Sequence, residues 1–242
     1  MHVRGWFALV GILVLAISNF ATKTWAEDSE AVLEGLQKVQ DLVGDWEGSG
    51  ASDQNKGWDE KLGCQWAFGK ETAPALVLAF ASVEDKPDGR VIEKGNLTYD
   101  PKKKLYRLTA SVPGEKGTLQ FEGKPKTTSN LVLDRIHKGT AKDTLDRVDL
   151  KIINDGDRLV YTFHKRIGKS MRYKQWAQVG LDRQGTSLAG AGAGGPKCIV
   201  TGGAGTIAVT HEGKTYFVCC TGCREVFLEA PEKYIAKLQK EN

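Results

Sequence analysis

Residues 148–163 read VDLKIINDGDRLVYTF, and this stretch contains the two local patterns that decide the fold. Apolar and polar residues alternate on both sides of the segment Asn154-Asp155-Gly156-Asp157. Alternation of this kind is typical of a β-strand with one buried face, and Asn, Asp and Gly favour the tight turns that join antiparallel strands. The stretch therefore predicts a β-hairpin.

The same alternation recurs along most of the 242-residue chain. It is clearest in LYRLTASV at residues 105–112. Similar segments lie at 46–51, 60–68, 75–84, 91–99, 118–123, 130–137 and 172–181. About ten short strands with short connections predict an antiparallel sandwich or a closed barrel, since closure removes exposed sheet edges. We therefore expect a mainly β body over residues 29–182.

One helix is predicted before the first strand. Between residues 29 and 43 the apolar residues recur at steps of three and four, which indicates an amphipathic helix with one buried face. These residues are Val32, Leu33, Leu36, Val39, Leu42 and Val43. Gly44 is expected to end the helix.

The first 26 residues have the features of a secretory signal peptide. Arg4 supplies a positive charge, and residues 7–21 are almost wholly apolar. Fifteen residues at about 1.5 Å each fall short of a bilayer core of roughly 30 Å. Small residues at Thr24 and Ala26 predict cleavage after Ala26. We therefore expect a periplasmic or secreted protein with no stable membrane span after cleavage.

Composition argues against two broad classes of function. Removing Arg4 and Lys23 with the signal peptide lowers the formal net charge from +4 to +2. That charge is too small to predict a nucleic-acid partner, and the sequence has no basic stripe. No carboxylate pair, metal-binding histidine helix or catalytic triad is evident, so an enzyme is not expected.

The composition changes abruptly at residues 183–196, which are rich in glycine and alanine. Such a segment cannot pack a core and is predicted to be a flexible linker. It separates the β body from a tail at residues 197–242. A tail of this size is close to the lower limit for independent folding, so a metal, a disulfide or a partner surface is expected to stabilise it.

The tail carries the candidate site. All five cysteines follow the predicted cleavage point: Cys64, Cys198, Cys219, Cys220 and Cys223. Export favours disulfides, but a disulfide closing a twenty-residue loop contributes about 3 kcal/mol, whereas structural zinc can contribute an apparent ~10–16 kcal/mol. Cys219 and Cys223 fall where a strand ends and a helix begins, so both sulfurs can face one point, and Cys198 can supply a third.

The helix N-terminus is expected to lower the pKa of the thiols at 219 and 223. Three cysteine ligands suit trigonal Cu(I), whereas zinc would need a fourth ligand from Cys220, His211 or water. For Cys220, a spare thiol or an ordinary small residue are open alternatives. For His211, a surface position in the turn before Gly213 is the alternative.

The tail closely resembles the YHS or TRASH-like heavy-metal-binding domain. The matching segments are Cys198-Ile199-Val200-Thr201-Gly202, Gly213-Lys214-Thr215-Tyr216-Phe217, Cys219 to Cys223, Phe227 and Pro231-Glu232-Lys233-Tyr234. The resemblance implies that the three matched cysteines bind a soft or borderline metal ion such as copper or zinc. It also implies a small α+β module, in which Pro231 starts a second helix with Tyr234, Ile235 and Leu238 on one face.

The β body resembles the lipocalin-like (calycin) barrels. Gly44-Asp45-Trp46 after a short helix is similar to their Gly-x-Trp opening, and Leu97-Thr98-Tyr99-Asp100 is similar to a strand end in bacterial lipocalin-like families. The resemblance implies that Trp46 plugs one end of the barrel and that the interior holds a small apolar ligand.

Two alternatives to a metal-binding function remain open. The barrel could be the functional part, binding an apolar molecule or haem through His164 or His137, with the tail stapled by a disulfide. The adjacent thiols of Cys219 and Cys220 could instead serve a thiol oxidoreductase. Cys64, within the segment LGCQW, is expected to be a small buried hydrophobic residue.

Overall fold

The computed structural model describes residues 29–241 apart from 56, 70–71, 84–87, 115, 128, 137–144, 168–171 and 185–195. The predicted signal peptide, most of the predicted linker and His137 lie outside the described residues. Within the described part of the chain, no helix is long and apolar enough to cross a bilayer.

Ten antiparallel strands form a closed barrel, which confirms the mainly β prediction. Each strand pairs with its neighbours in chain order, and β10 closes the barrel by pairing with β1. The strands are β1 (Gly44–Ser52), β2 (Trp58–Ala67), β3 (Ala75–Ser82), β4 (Lys94–Asp100), β5 (Leu105–Ser111), β6 (Thr118–Thr127), β7 (Asn130–Arg135), β8 (Leu145–Ile153), β9 (Arg158–Arg166) and β10 (Tyr173–Arg183).

The alternation in the sequence corresponds to the two faces of the barrel wall. In β5 the side chains of Tyr106, Leu108 and Ala110 are buried, and those between them are partly exposed. The quoted hairpin is present as β8 and β9, with Val148 opposite Phe163. A 3-10 turn at Asn154–Gly156 joins these strands, and Gly156 takes a positive φ of 99° that favours glycine.

The first helix is shorter than predicted. Helix α1 covers 29–37, and a 3-10 turn follows at Gln40–Leu42. The amide N–H of Val39 donates to Leu36 O at 3.0 Å, so the helix tightens as the chain turns into β1. The predicted apolar face is nevertheless buried, at Val32, Leu36, Val39, Leu42 and Val43.

Helix α1 and the turn after it cover one end of the barrel, where Trp46 lies fully buried. Its indole Nε1 donates to Leu42 O at 3.0 Å, and the Arg183 guanidinium lies 4.1 Å from its ring centroid. The Tyr106 hydroxyl donates to Gly35 O at 2.6 Å, which ties the helix to β5. Trp46 therefore occupies the plug position that the lipocalin-like resemblance implies.

A small module of two strands and two helices follows the barrel. Strands β11 (Ile207–His211) and β12 (Lys214–Val218) form a hairpin, followed by α2 (Thr221–Glu229) and α3 (Pro231–Glu241). Phe227 is fully buried, and its ring centroid lies 5.3 Å from that of Tyr216 and 6.4 Å from that of Tyr234. Helix α3 begins at Pro231 as predicted, and Leu238 on it is 41% exposed.

Candidate metal centre

Three cysteine sulfurs meet at the start of α2. The Sγ atoms of Cys198, Cys219 and Cys223 all lie within 4.8 Å of one another, and those of Cys219 and Cys223 are 3.5 Å apart. A trigonal site with metal–sulfur bonds of about 2.3 Å needs sulfur separations of about 4.0 Å. Small side-chain adjustments therefore suffice for these thiolates to fit a soft metal ion.

Local structure explains how residues distant in sequence reach this point. Cys219 follows the last residue of β12, and Cys223 lies in the first turn of α2. Cys198 lies in a turn closed by its own N–H donating to Gly203 O at 2.7 Å. The next residue, Ile199, donates its N–H to Phe217 O at 2.9 Å, which holds the turn against β12.

The cluster is shielded from water on most sides. Cys198 and Cys223 are 2% and 0% exposed, and Cys219 is partly exposed. None of the five cysteines forms a disulfide. Deprotonating these buried thiols would be costly without a bound cation, so a thiolate cluster here requires one.

The proton distribution differs from the prediction based on the helix N-terminus. The pKa values of Cys219 and Cys223 are raised, mainly because they share hydrogen bonds with Cys198, and burial adds to the effect. The same hydrogen bonds lower the pKa of Cys198, and those from Cys219 and Cys223 lower the pKa of Cys220. The lowering therefore falls on Cys198 and Cys220 instead of Cys219 and Cys223, because the thiols share hydrogen bonds with one another.

The two candidates for a fourth ligand lie in different places. Cys220 is 5% exposed, and its Sγ lies 4.0 Å from that of Cys219. The imidazole of His211 instead faces Glu232, with Nε2 3.7 Å from Oε1, and its ring packs against Phe227. Cys220 therefore adjoins Cys219, but both Cys220 and His211 are outside the group of ligand atoms that lie within 4.8 Å of one another.

Thr201 is a functional candidate that the sequence interpretation missed. It is buried, its Oγ1 lies 3.6 Å from Cys219 Sγ, and its N–H and hydroxyl both interact with the Cys198 sulfur. Its carbonyl oxygen accepts a hydrogen bond from Gln37 Nε2 of α1 at 3.0 Å. In the sequence, the feature that could have identified Thr201 is its position three residues after Cys198 and directly before Gly202.

The barrel itself contributes to the cluster. Strand β2 extends beyond its pairing with β1, which ends at Cys64, so the edge of residues 65–67 faces the module. The Trp66 N–H lies close to Cys220 Sγ, and the Thr221 hydroxyl donates to Gln65 Oε1 at 2.6 Å. The start of α2 thus covers a strand edge that would otherwise lack partners.

Gly222 permits this close contact, which gives a first testable prediction. A Cβ at position 222 would lie 1.9 Å from Trp66 O and 3.0 Å from its carbonyl carbon. We expect Gly222→Ala to lower the free energy of unfolding by about 1–3 kcal/mol through overpacking, despite alanine's better helix propensity. Urea unfolding and the alkylation rate of Cys220, which should increase at least tenfold, measure the effect.

Gly57→Ala is the matched control, because a Cβ at Gly57 meets no atom within 4 Å. Both variants add one methyl group at a glycine, but only the methyl group at position 222 meets the module contact. Equal stability and equal Cys220 alkylation in both variants would show that α2 does not rest on β2 as described.

The barrel interior is filled by large side chains that belong to one continuous hydrophobic cluster. A surface depression of about 540 Å³ lies across β2, β1, β10 and β9, and its lining includes the outward-facing Asp59, Arg158 and Gln178. It lies on the outer face of the barrel wall and is therefore not the interior site that was predicted for an apolar ligand.

Two further predicted residues are accounted for by the barrel wall. Cys64 is fully buried in β2, and burial raises the pKa of its thiol, in keeping with a small hydrophobic residue. His164 alternates with the inward-facing Phe163, and its Nε2 lies 3.5 Å from Asp149 Oδ2. His164 is therefore not placed to bind a haem iron inside the barrel.

One solved structure similar to this chain is the crystal structure of Rv2717c from M. tuberculosis, with 19% sequence identity and a TM-score of 0.42. The similarity covers 62% of this chain and 97% of that one. No protein-family model matches the sequence, and no curated protein matches it. The YHS-like and lipocalin-like relationships therefore stay predictions from the sequence.

Proposed function

We propose that this chain is an exported, non-enzymatic protein that captures or carries a soft metal ion through Cys198, Cys219 and Cys223. The observation that supports the proposal is the approach of these three sulfurs to within 4.8 Å in a largely buried cluster. The YHS-like pattern of the tail agrees with it. Export is proposed from the apolar segment at residues 7–21, and the periplasm or the extracellular space is the expected location.

Among soft and borderline metals, Cu(I) fits the cluster best. Cu(I) is stable with three thiolate ligands, whereas Zn²⁺ in structural sites almost always takes four. His211 faces Glu232, so it is not placed to complete a Cys₃His zinc site. Zinc remains the second candidate, with Cys220 or water as its fourth ligand.

Metal stoichiometry tests the proposal. Mature protein, reduced and handled without oxygen, is expected to retain at least one Cu(I) per chain in native mass spectrometry. The triple variant Cys198→Ser, Cys219→Ser and Cys223→Ser is expected to retain none, and its barrel should stay folded by circular dichroism. Cu(I) is also expected to displace Zn²⁺ from the wild-type protein.

Cys64→Ala is the matched control, because it removes a buried thiol of the barrel and leaves the three proposed ligands in place. It should bind metal as the wild-type protein does. A wild-type protein without metal, or a triple variant that binds metal equally well, would overturn the proposal.

A further inference from the structure

We propose that the cysteine cluster holds two Cu(I) ions, with Cys219 and Cys223 bridging them and with Cys198 and Cys220 each binding one ion. This inference rests on the proposed function and extends it. A single three-cysteine site leaves Cys220 unused, whereas the two-ion cluster makes it a ligand.

The arrangement of the four sulfurs supports two adjacent positions. Cys219 and Cys223 form the closest pair, at 3.5 Å. Cys198 approaches both of them from one side. Cys220 also approaches both, at 4.0 Å from Cys219 and with an interaction to the Cys223 thiol. Among the described residues, the sulfur partners of Cys198 are Cys219 and Cys223. The four sulfurs thus form one contiguous cluster in which Cys219 and Cys223 each interact with both Cys198 and Cys220.

Polar hydrogens lie on two sides of the cluster. The N–H and hydroxyl of Thr201 lie close to the Cys198 sulfur, and the hydroxyl oxygen is also 3.6 Å from Cys219 Sγ. The Trp66 N–H lies close to the Cys220 sulfur. These groups can stabilise the negative charge that metal-bound thiolates keep.

Charge balance permits a second ion. Cys198, Cys220 and Cys223 are all buried, so excess negative charge is costly there. One Cu(I) with three thiolates and a protonated Cys220 carries a net charge of −2, and two Cu(I) with four thiolates also carry −2, so the second ion adds no negative charge. Each Cu(I) would have three sulfur ligands, which is a coordination number that this ion accepts.

Titration with Cu(I) in the presence of a chromophoric competitor, followed by native mass spectrometry, tests the proposal. The reduced wild-type protein is expected to bind two Cu(I) ions per chain, and Cys220→Ser one. Replacing a bridging residue, as in Cys219→Ser, is expected to abolish the two-ion form. Cys64→Ala is the control and should keep both ions.

The outcomes separate this inference from the proposed function. Failure of the wild-type protein to bind copper overturns the two-ion cluster and the choice of Cu(I), and failure to bind any metal overturns the proposed function as well. Binding of a single copper ion overturns only the two-ion cluster. Two ions in Cys220→Ser, or one in Cys64→Ala, would place the second ion elsewhere and also overturn it. X-ray absorption of the loaded wild-type protein gives a test without any variant, because adjacent ions produce a copper–copper scattering path and isolated ions do not.

Discussion

Removing metal from the reduced, loaded protein is expected to loosen the module at residues 197–241 and to leave the barrel folded. Seven apolar residues of the module are buried, and three of them are cysteines: Cys198, Val200, Val209, Val218, Cys220, Cys223 and Phe227. Much of this small core is therefore the proposed site itself. Metal that binds only the folded module stabilises it by about 4 kcal/mol when free metal exceeds the dissociation constant 1,000-fold.

Hydrogen exchange followed by mass spectrometry measures this effect region by region. A stabilisation of about 4 kcal/mol corresponds to roughly 1,000-fold slower exchange of amides that open with the module. Peptides from β11, β12 and α2 should show the change when a chelator is added, and peptides from β4 to β8 should not. The triple serine variant at 198, 219 and 223 is the control, and the chelator should not alter its exchange.

Two results would contradict the expectation. Unchanged exchange of the module on chelation would show that its contacts with the barrel are sufficient to hold it. Those contacts include Gln37 with Thr201, Thr221 with Gln65, and Trp66 with Cys220. Equal loosening of barrel strands would show that the two parts do not respond to metal separately.

The barrel could be predicted because strand formation leaves a local record in the sequence. Each of the ten alternating segments corresponds to a strand, and the hairpin at 148–163 has its turn where Asn, Asp and Gly lie. The alternation alone could not choose between a sandwich and a barrel, and the barrel was expected only from the lipocalin-like resemblance. That choice depends on the pairing of β1 with β10, which lie more than 120 residues apart.

The candidate site was predictable only in part, for a related reason. The spacing of Cys198, Cys219 and Cys223 predicted that their sulfurs would meet. The N–H of Trp66 has no sequence signature, because every residue except proline carries one. The contact between Thr221 and Gln65 spans 156 residues, so only the docked module shows it.

Glu60 is a second feature that sequence pattern did not reveal, and it leads to a prediction about pH. It lies on the inward face of β2 and is 1% exposed. Burial raises the pKa of Glu60 to about 7. A hydrogen bond from Trp58 Nε1 to Glu60 Oε2 at 2.5 Å and the charge of Arg90 lower it in part, and the charge of Asp88 raises it. Glu60 lies six residues before Trp66, the residue of β2 beside the cysteine cluster, and this is about 20 Å along the strand. Glu60 is therefore remote from that cluster.

The raised pKa makes stability depend on pH in a defined direction. Between pH 4.5 and pH 7 the folded protein binds the Glu60 proton more tightly than the unfolded chain does. The contribution to stability is therefore full below pH 4.5, declines as the pH rises towards 7, and is lost above it. The decline amounts to about 3 kcal/mol.

Glu60→Gln is expected to remove this decline, because a carboxamide is neutral at every pH and can still accept the hydrogen bond from Trp58. Urea unfolding should show that the wild-type free energy of unfolding falls between pH 5 and pH 8 by about 3 kcal/mol more than that of the variant. Glu47→Gln controls for the loss of a carboxylate, because the Glu47 side chain is 41% exposed and is therefore not buried as Glu60 is. Its Oε2 lies 3.4 Å from Lys61 Nζ. If the wild-type and Glu60→Gln stabilities decline in parallel, Glu60 is ionised in the folded barrel and the raised pKa is wrong.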